Sequence, residues 1–215
     1  MEGAMKIKNV AAICKRKKSI VLYNDQSGQQ YISDGFAVYP VFGLPKLNTD
    51  YVFTIFDVPE KDREKYITRE TILPNGINLS DDDYSEKAVI PIPISIAYGG
   101  VPLRPLKTTG GIAYIDGRYL SPLADMLDVL ELYERRTAEG ALYIAAKAGF
   151  LLQGVIFPQN MIEESFVNRL SELSRLTEEA FAKQGATEKQ EAAPGQYAIR
   201  ADPNTGEVME GGETD

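Results

Sequence analysis

The chain has 215 residues, carries a formal net charge of −8 and contains no histidine. Without histidine, the commonest general base and the commonest zinc ligand are missing, which excludes Ser-His-Asp and Cys-His nucleophile systems and Cys/His metal sites. The composition therefore lowers the expectation of an enzyme, and we predict no catalytic residue, metal or cofactor.

Cys14 is the single cysteine, so the chain cannot form an internal disulfide, and burial as a small apolar side chain is the favoured role for this thiol. No apolar run approaches the length of a membrane span, and the first residues have no apolar segment of the signal-peptide type. These features predict a cytoplasmic protein, in a bacterium or in a bacterial host cell if the chain is phage-encoded.

Charge is distributed unevenly along the chain. Within residues 1–18, six basic residues face Glu2, which gives this segment a charge of +5 and leaves −13 for the remainder. A basic strip on an acidic body can contact nucleic acid, and the alternative is an edge strand protected by lysines. The strip consists of Lys6, Lys8, Lys15, Arg16, Lys17 and Lys18.

Short apolar runs separated by turn residues dominate the first half and predict β-strands. The predicted strands are Lys6–Cys14, Ser19–Asn24, Gln30–Ser33, Phe36–Phe42 and Tyr51–Val58, with an edge strand or connector over Ala88–Tyr98, after which a turn at Gly99-Gly100 leads into Val101–Lys107. Pro59–Lys65 is predicted as one helical turn and Ile67–Tyr84 as a surface loop.

The segment from Gly111 to Pro158 organises the rest of the chain. It predicts a strand over Gly111–Ile115, a helix from Arg118 to Met126 or Leu127, and three strands over 129–135, 141–147 and 150–157. Either Asp116 or Ser121, which precedes Pro122, can cap the helix. An apolar stripe then covers the meander, and it consists of Leu120, Leu123, Ala124, Leu127 and Leu130.

The chain beyond Pro158 has a different character. An apolar seam predicts a helix over 161–183, capped by Asn160, and residues 185–215 are predicted to be a disordered acidic tail. The predicted fold class is α+β, mainly antiparallel sheet with a crossing helix. Its parts are a body over 1–158, a C-terminal helix over 159–184 and the tail.

The central segment resembles a domain of the bacterial-type DNA polymerase sliding clamp. Tyr119-Leu120 stands at the helix start, and the last strand ends in Val155-Ile156-Phe157-Pro158, similar to that family's apolar-Met-Pro ending. Upstream, residues 31–37 (YISDGFA) resemble the family's apolar-Thr-Asp-Gly stretch, although the basic pair that follows it there is replaced by Phe36-Ala37. The chain as a whole also resembles phage and prophage proteins, so the resemblance extends to a reduced, phage-encoded relative of the clamp.

The resemblance implies a non-catalytic DNA-replication accessory protein that binds duplex DNA without sequence specificity and forms a homo-oligomer. It assigns DNA binding to Lys6, Lys8, Lys15, Arg16, Lys17 and Lys18. It also implies an apolar groove that docks peptides of a DNA polymerase or of repair proteins at Val155, Phe157 and Pro158. On spacing alone, Val155 to Phe157 also fit an ordinary core strand.

Two other functions are consistent with the sequence. A phage-type protein could block a host factor by protein–protein interaction, because the −13 charge outside the first 18 residues can imitate nucleic acid. A carboxylate enzyme could hold magnesium at Asp34 or at Asp81–Asp83, although adjacent aspartates point in different directions and lack the spacing of a calcium loop.

Overall fold

The computed structural model describes residues 5–25, 27–74, 76–191, 200–201 and 208–209. The chain divides into two units, Met1–Asn160 and Met161–Asp215. In the first unit the helices are α1 (Ile7–Lys17), α2 (Thr49–Ile55), α3 (Glu60–Arg63) and the 3₁₀ helix η1 (Gly117–Val129). Its strands are β1 (Ser19–Asn24), β2 (Gln30–Ser33), β3 (Ala37–Val41), β4 (Ile67–Ile72), β5 (Lys87–Ala88), β6 (Ile90–Pro91), β7 (Ile96–Tyr98), β8 (Val101–Thr108), β9 (Gly111–Asp116), β10 (Leu130–Arg136), β11 (Leu142–Ala148) and β12 (Leu151–Ile156).

The main sheet joins two meanders that have the same element order. A helix followed by three antiparallel strands occurs first as α1-β1-β2-β3 and again as η1-β10-β11-β12. The last strands of the two meanders pair with each other, Val38 with Val155 and Ala37 with Ile156. The result is one eight-stranded sheet of order β4-β1-β2-β3-β12-β11-β10-β5.

The two helices share one hydrophobic core with both meanders. Residues of α1 (Val10, Ile13) and of η1 (Leu123, Met126) are buried in the same cluster as alternate residues of the strands. Because successive strand residues point to opposite faces, this places both helices on one face of the joined sheet. The strand residues in this cluster include Ile20, Leu22, Ile32, Ala37, Tyr39, Leu132, Ile144, Ala146 and Ile156.

The opposite face carries a smaller cluster, which includes Tyr31, Val38, Tyr143 and Val155. A second, smaller antiparallel sheet is formed by β6, β8, β7 and β9, with β8 at its centre. The mixed, mainly antiparallel α+β class predicted from the sequence is confirmed, as is the helix–meander order of the central segment.

Three predictions for the first half are wrong. Lys6–Cys14 is not a strand, because α1 covers it and its apolar residues at 7, 10, 11 and 14 have helical spacing. Tyr51–Val58 is not a strand either: the Asn48 side chain accepts a hydrogen bond from the Tyr51 N–H and starts α2. The predicted loop 67–84 begins with strand β4. Its mostly polar residues form a strand because they pair in parallel with β1.

The crossing helix forms, but as a 3₁₀ helix with Asp116 as its cap, since the Asp116 carboxylate accepts the Arg118 N–H. Three residues per turn bring Leu120, Leu123 and Met126 to the buried side. Leu127, which an α-helical period would bury, is 46% exposed, and Ala124 is exposed as well.

In the second unit, helix α4 (Glu164–Glu191) starts later and ends later than the predicted helix over 161–183. Residues 185–191 of the predicted disordered tail are therefore helical. Two short strands, β13 (Arg200–Ala201) and β14 (Val208–Met209), pair with each other, and the rest of that prediction lies outside the described residues. Among the described helices, none is long and apolar enough to cross a membrane.

Candidate nucleic-acid interface

Helices α1 and η1 lie side by side and run in opposite directions. At the start of α1, the Lys6 N–H donates to the Pro122 carbonyl (2.8 Å) and the Asn9 amide donates to the Ser121 carbonyl (2.6 Å). At the end of α1, the Arg16 guanidinium lies 3.7 Å from the Asp116 carboxylate, just before η1 begins. The two helices thus form a paired surface over the sheet.

The outer face of α1 is basic. Val10, Ala11, Ile13 and Cys14 point into the core, which leaves Lys8, Ala12 and Arg16 exposed at helical spacing. Within the described part of the chain, Lys8 makes no hydrogen bond or ion pair. The basic residues of the last turn also interact favourably with the helix dipole, so part of their role is to stabilise α1.

A buried carboxylate organises two guanidinium groups where α1 ends and η1 begins. The Asp116 carboxylate accepts hydrogen bonds from Nε and Nη2 of Arg118 at 2.7–3.0 Å, and its Oδ2 also lies 3.7 Å from Nη2 of Arg16. These hydrogen bonds raise the pKa of Arg118. Since one carboxylate faces two cations, both about one-third exposed, the pair retains net positive charge in a fixed orientation.

A second buried carboxylate ties the β2–β3 turn to the start of η1. Asp34 accepts the N–H groups of Phe36 and Ala37 and, at 2.8 Å, the hydroxyl of Tyr119. Burial, with Asp34 close by, raises the pKa of Tyr119, so this tyrosine remains a hydrogen-bond donor. The hydroxyl of Tyr39 donates to the Tyr119 carbonyl at 2.6 Å, which holds η1 in place.

The remaining residues of the predicted basic strip have different surroundings. Lys6 forms an ion pair with Asp125 of η1 (2.6 Å), and Lys15 donates to the Asp57 carbonyl (3.2 Å). Lys17 lies over the Phe36 ring, and Lys18 ends α1 in a left-handed conformation with φ of 49°. We define the basic cluster as Lys8, Arg16, Lys17, Lys18 and Arg118.

Sequence reasoning missed Arg118, because it treated residues 6–14 as a strand. Read as a helix, the same segment puts Lys8 and Arg16 on one face, and the cap residue Asp116 leads directly to Arg118. The signal was therefore present in the spacing of Ile7, Val10 and Cys14.

The predicted peptide-docking residues do not line an open groove together. Val155 has no exposed surface and packs in the smaller cluster on the face opposite the helices. Phe157 and Pro158 are half-buried, with the Phe157 ring 6.1 Å from that of Tyr143. Only the end of this segment is accessible to a partner.

Two of the adjacent aspartates considered for a metal, Asp81 and Asp83, bind protein groups. Asp81 accepts the Leu152 N–H, and Asp83 accepts the Ser85 N–H and hydroxyl. Burial opposes ionisation of Asp83, but its hydrogen bonds outweigh this effect and lower its pKa. No group of three or more potential metal ligands occurs among the described residues.

The loop that carries these aspartates is fastened by a buried ion-pair network that the sequence did not predict. The fully buried Arg135 of β10 donates to the Glu86 carboxylate and to the carbonyls of Asn78 and Ser80, while Lys147 of β11 donates to the other Glu86 oxygen. These contacts attach residues 78–86 to the second meander.

No family model, curated protein or solved structure matches this chain.

Proposed function

We propose that this protein is a non-catalytic DNA-replication accessory protein of the sliding-clamp type, which binds duplex DNA without reading its sequence. The observation that carries the proposal is the antiparallel pair α1 and η1, which lies on one face of a sheet built from two equivalent meanders and presents the basic cluster to solvent. A repeated helix–meander unit extends the sequence resemblance from the central segment to the first half.

The chemistry of the cluster suits phosphate rather than bases. Guanidinium and ammonium groups neutralise phosphates and release counterions, which gives affinity without sequence information. Arg118 is held by Asp116, so its free donors are oriented before DNA arrives. The outer face of η1 also carries Asp125, which pairs with Lys6 at the start of α1, and Asp128, so attraction is strongest at the other end of the helix pair, where Arg16 and Arg118 both lie near Asp116.

The proposal includes a homo-oligomer in the bacterial cytoplasm, or in that of a host cell if the chain is phage-encoded. Partner peptides of a polymerase or repair protein would dock beside the end of β12, where Phe157 and Pro158 are half-exposed. The buried Val155 would support that site from below.

The test is the salt dependence of binding to a short duplex of arbitrary sequence, measured by fluorescence anisotropy. Lys8→Gln with Lys17→Gln removes two cations that have no ion-pair partner among the described residues, so folding should be little affected. We expect weaker binding at every sequence and a shallower slope of log K against log salt, by about one for each phosphate that is no longer neutralised. Lys87→Gln on β5 is the matched control and should bind like the unchanged chain.

No measurable affinity at low salt would contradict the proposal, as would an unchanged slope in the double variant. The second candidate, a protein that blocks a host factor, is favoured by the charge of −13 outside residues 1–18. It predicts that the chain competes with DNA for a DNA-binding protein and does not itself bind duplex DNA.

A further inference from the structure

Helix α4 (Glu164–Glu191) exposes an apolar face along much of its length. From residue 171 to residue 184, every side chain that the structure describes on this helix is exposed. Leu173, Leu176 and Phe181 are 60%, 48% and 77% exposed. Because a helix in water is stabilised mainly by packing of its apolar face, this surface indicates a partner that covers it.

The apolar and charged residues of α4 are separated onto different sides of the helix. In a seven-residue repeat, abcdefg, that begins with Leu170 at a, Leu173 takes position d, Thr177 the next a and Ala180 the next d. Between residues 170 and 182, positions a, d, e and g hold no charged residue. We define the α4 seam as six residues at these positions: Leu170, Leu173, Leu176, Thr177, Ala180 and Phe181.

The polar groups beside the seam already have partners within the helix. Arg175 at f donates hydrogen bonds to Glu172 at 2.7 Å and to Glu179, both at c. The Thr177 hydroxyl donates to the Leu173 carbonyl at 2.8 Å, so Thr177 can be buried in the seam without losing its hydrogen bond. The surface that fits the seam is therefore uncharged and apolar, with the same seven-residue spacing.

We propose that α4 pairs with α4 of a second copy as a parallel, in-register coiled coil. In this arrangement each a or d residue meets its own counterpart, so Leu173 packs against Leu173 and Ala180 against Ala180 of the copy. Leu176 at g lies beside Phe181 at e of the copy, which widens the buried surface. A second copy thus supplies the uncharged partner surface that the seam fits.

The orientation of the pair follows from the charged residues that flank the seam. These are Arg169 and Lys183, both at g. In an antiparallel pair centred on the seam, g positions lie beside g positions, so Arg169 of each copy would approach Lys183 of the other. In the parallel pair g lies beside e, and Arg169 faces the uncharged Ser174. The parallel arrangement therefore keeps like charges apart.

The test adds one thiol to either side of α4 in the full chain. Thr177→Cys places it at a, where it meets its own copy, and the matched control Glu178→Cys places it at b. Cys14 is buried and common to both chains. With oxidised glutathione, Thr177→Cys should form a disulfide-linked dimer at least tenfold faster than Glu178→Cys, as measured by non-reducing electrophoresis. Equal rates, or no dimer in either chain, would overturn the proposal.

Light scattering over a range of concentrations measures association without a cross-link. Leu173→Lys at d should weaken association at least tenfold, whereas Ser171→Lys at b should associate like the unchanged chain. Circular dichroism verifies that both variants are folded. Equal association of the two variants, or an unchanged chain that is monomeric throughout, would overturn the proposal. The pairing goes beyond the proposed function and its tests contain no DNA, so either can fail without the other.

Discussion

The two helix–meander halves of the body have the same order of elements but differ in local structure and in charge. In the first half, the helix is an α-helix with a basic outer face; in the second, it is a 3₁₀ helix that contains Pro122 and carries Asp125 and Asp128. The first half borders the parallel strand β4, whereas the second borders the short antiparallel β5 and the fastened loop 78–86.

The comparison indicates which features the common layout requires. Both helices bury apolar residues against alternate strand residues, although their helical periods differ. The shared core therefore decides where a helix lies, while the backbone type follows local sequence. The surface charge and the edge strands of the sheet are free to differ between the two halves. This asymmetry makes one end of the helix pair basic and gives the main sheet two unlike edges.

The largest expected effect concerns the loop network, for which we find no counterpart among the described residues of the first half. Arg135→Met should lower the free energy of unfolding by about 3–5 kcal/mol, because it leaves Glu86 and the carbonyls of Asn78 and Ser80 with fewer partners. Chemical denaturation measures the decrease. The control Arg175→Met removes the exposed ion pairs with Glu172 and Glu179 and should cost under about 1 kcal/mol. Equal decreases in the two variants would show that the network does not fasten the second half.

The next effect separates the two helical periods. Met126→Ala should lower the free energy of unfolding by about 2–5 kcal/mol because Met126 is buried on the inner side of η1. Leu127→Ala, half-exposed, should cost under about 1 kcal/mol. If the helix of the second half were an α-helix, Leu127 would be buried instead and the order of the two decreases would be reversed. Thermal or urea denaturation of the two variants decides between the two types of helix.

The smallest effect tests the pairing of β3 with β12, which joins the two halves. Gly154→Ala would place a Cβ 2.9 Å from the Tyr39 ring and 3.0 Å from the Val38 carbonyl, so β3 and β12 would have to separate. We expect a decrease of about 1–3 kcal/mol in the free energy of unfolding. Gly110→Ala meets only the flexible end of Arg136 at 3.3 Å and should be nearly neutral. If both changes are neutral, β3 and β12 pack less tightly against each other than their pairing indicates.

The sequence predicted the second half better than the first for a physical reason. Its strands alternate or are almost wholly apolar, and its turns at 137–140 and 149–150 carry glycine, so local signals agree with the tertiary structure. In the first half, β-branched and aromatic residues in α1 and α2 imitated strands, and β4 is a strand only because β1 lies beside it.

The candidate site was predictable in part. The basic residues were visible, but their arrangement required a helix at 7–17 and the contact between Arg16 and Asp116, which lie 100 residues apart in sequence. The Arg135–Glu86–Lys147 network likewise joins distant segments, so no local pattern announces it.

The most direct test of the central claim compares circular and linear forms of one plasmid. The chain is incubated with nicked circular or linearised DNA and then passed through a sizing column at a salt concentration that weakens simple phosphate contacts. A clamp-type protein should be retained on the circle and released when a restriction enzyme linearises it. Equal retention on both forms, or on neither, would contradict the account.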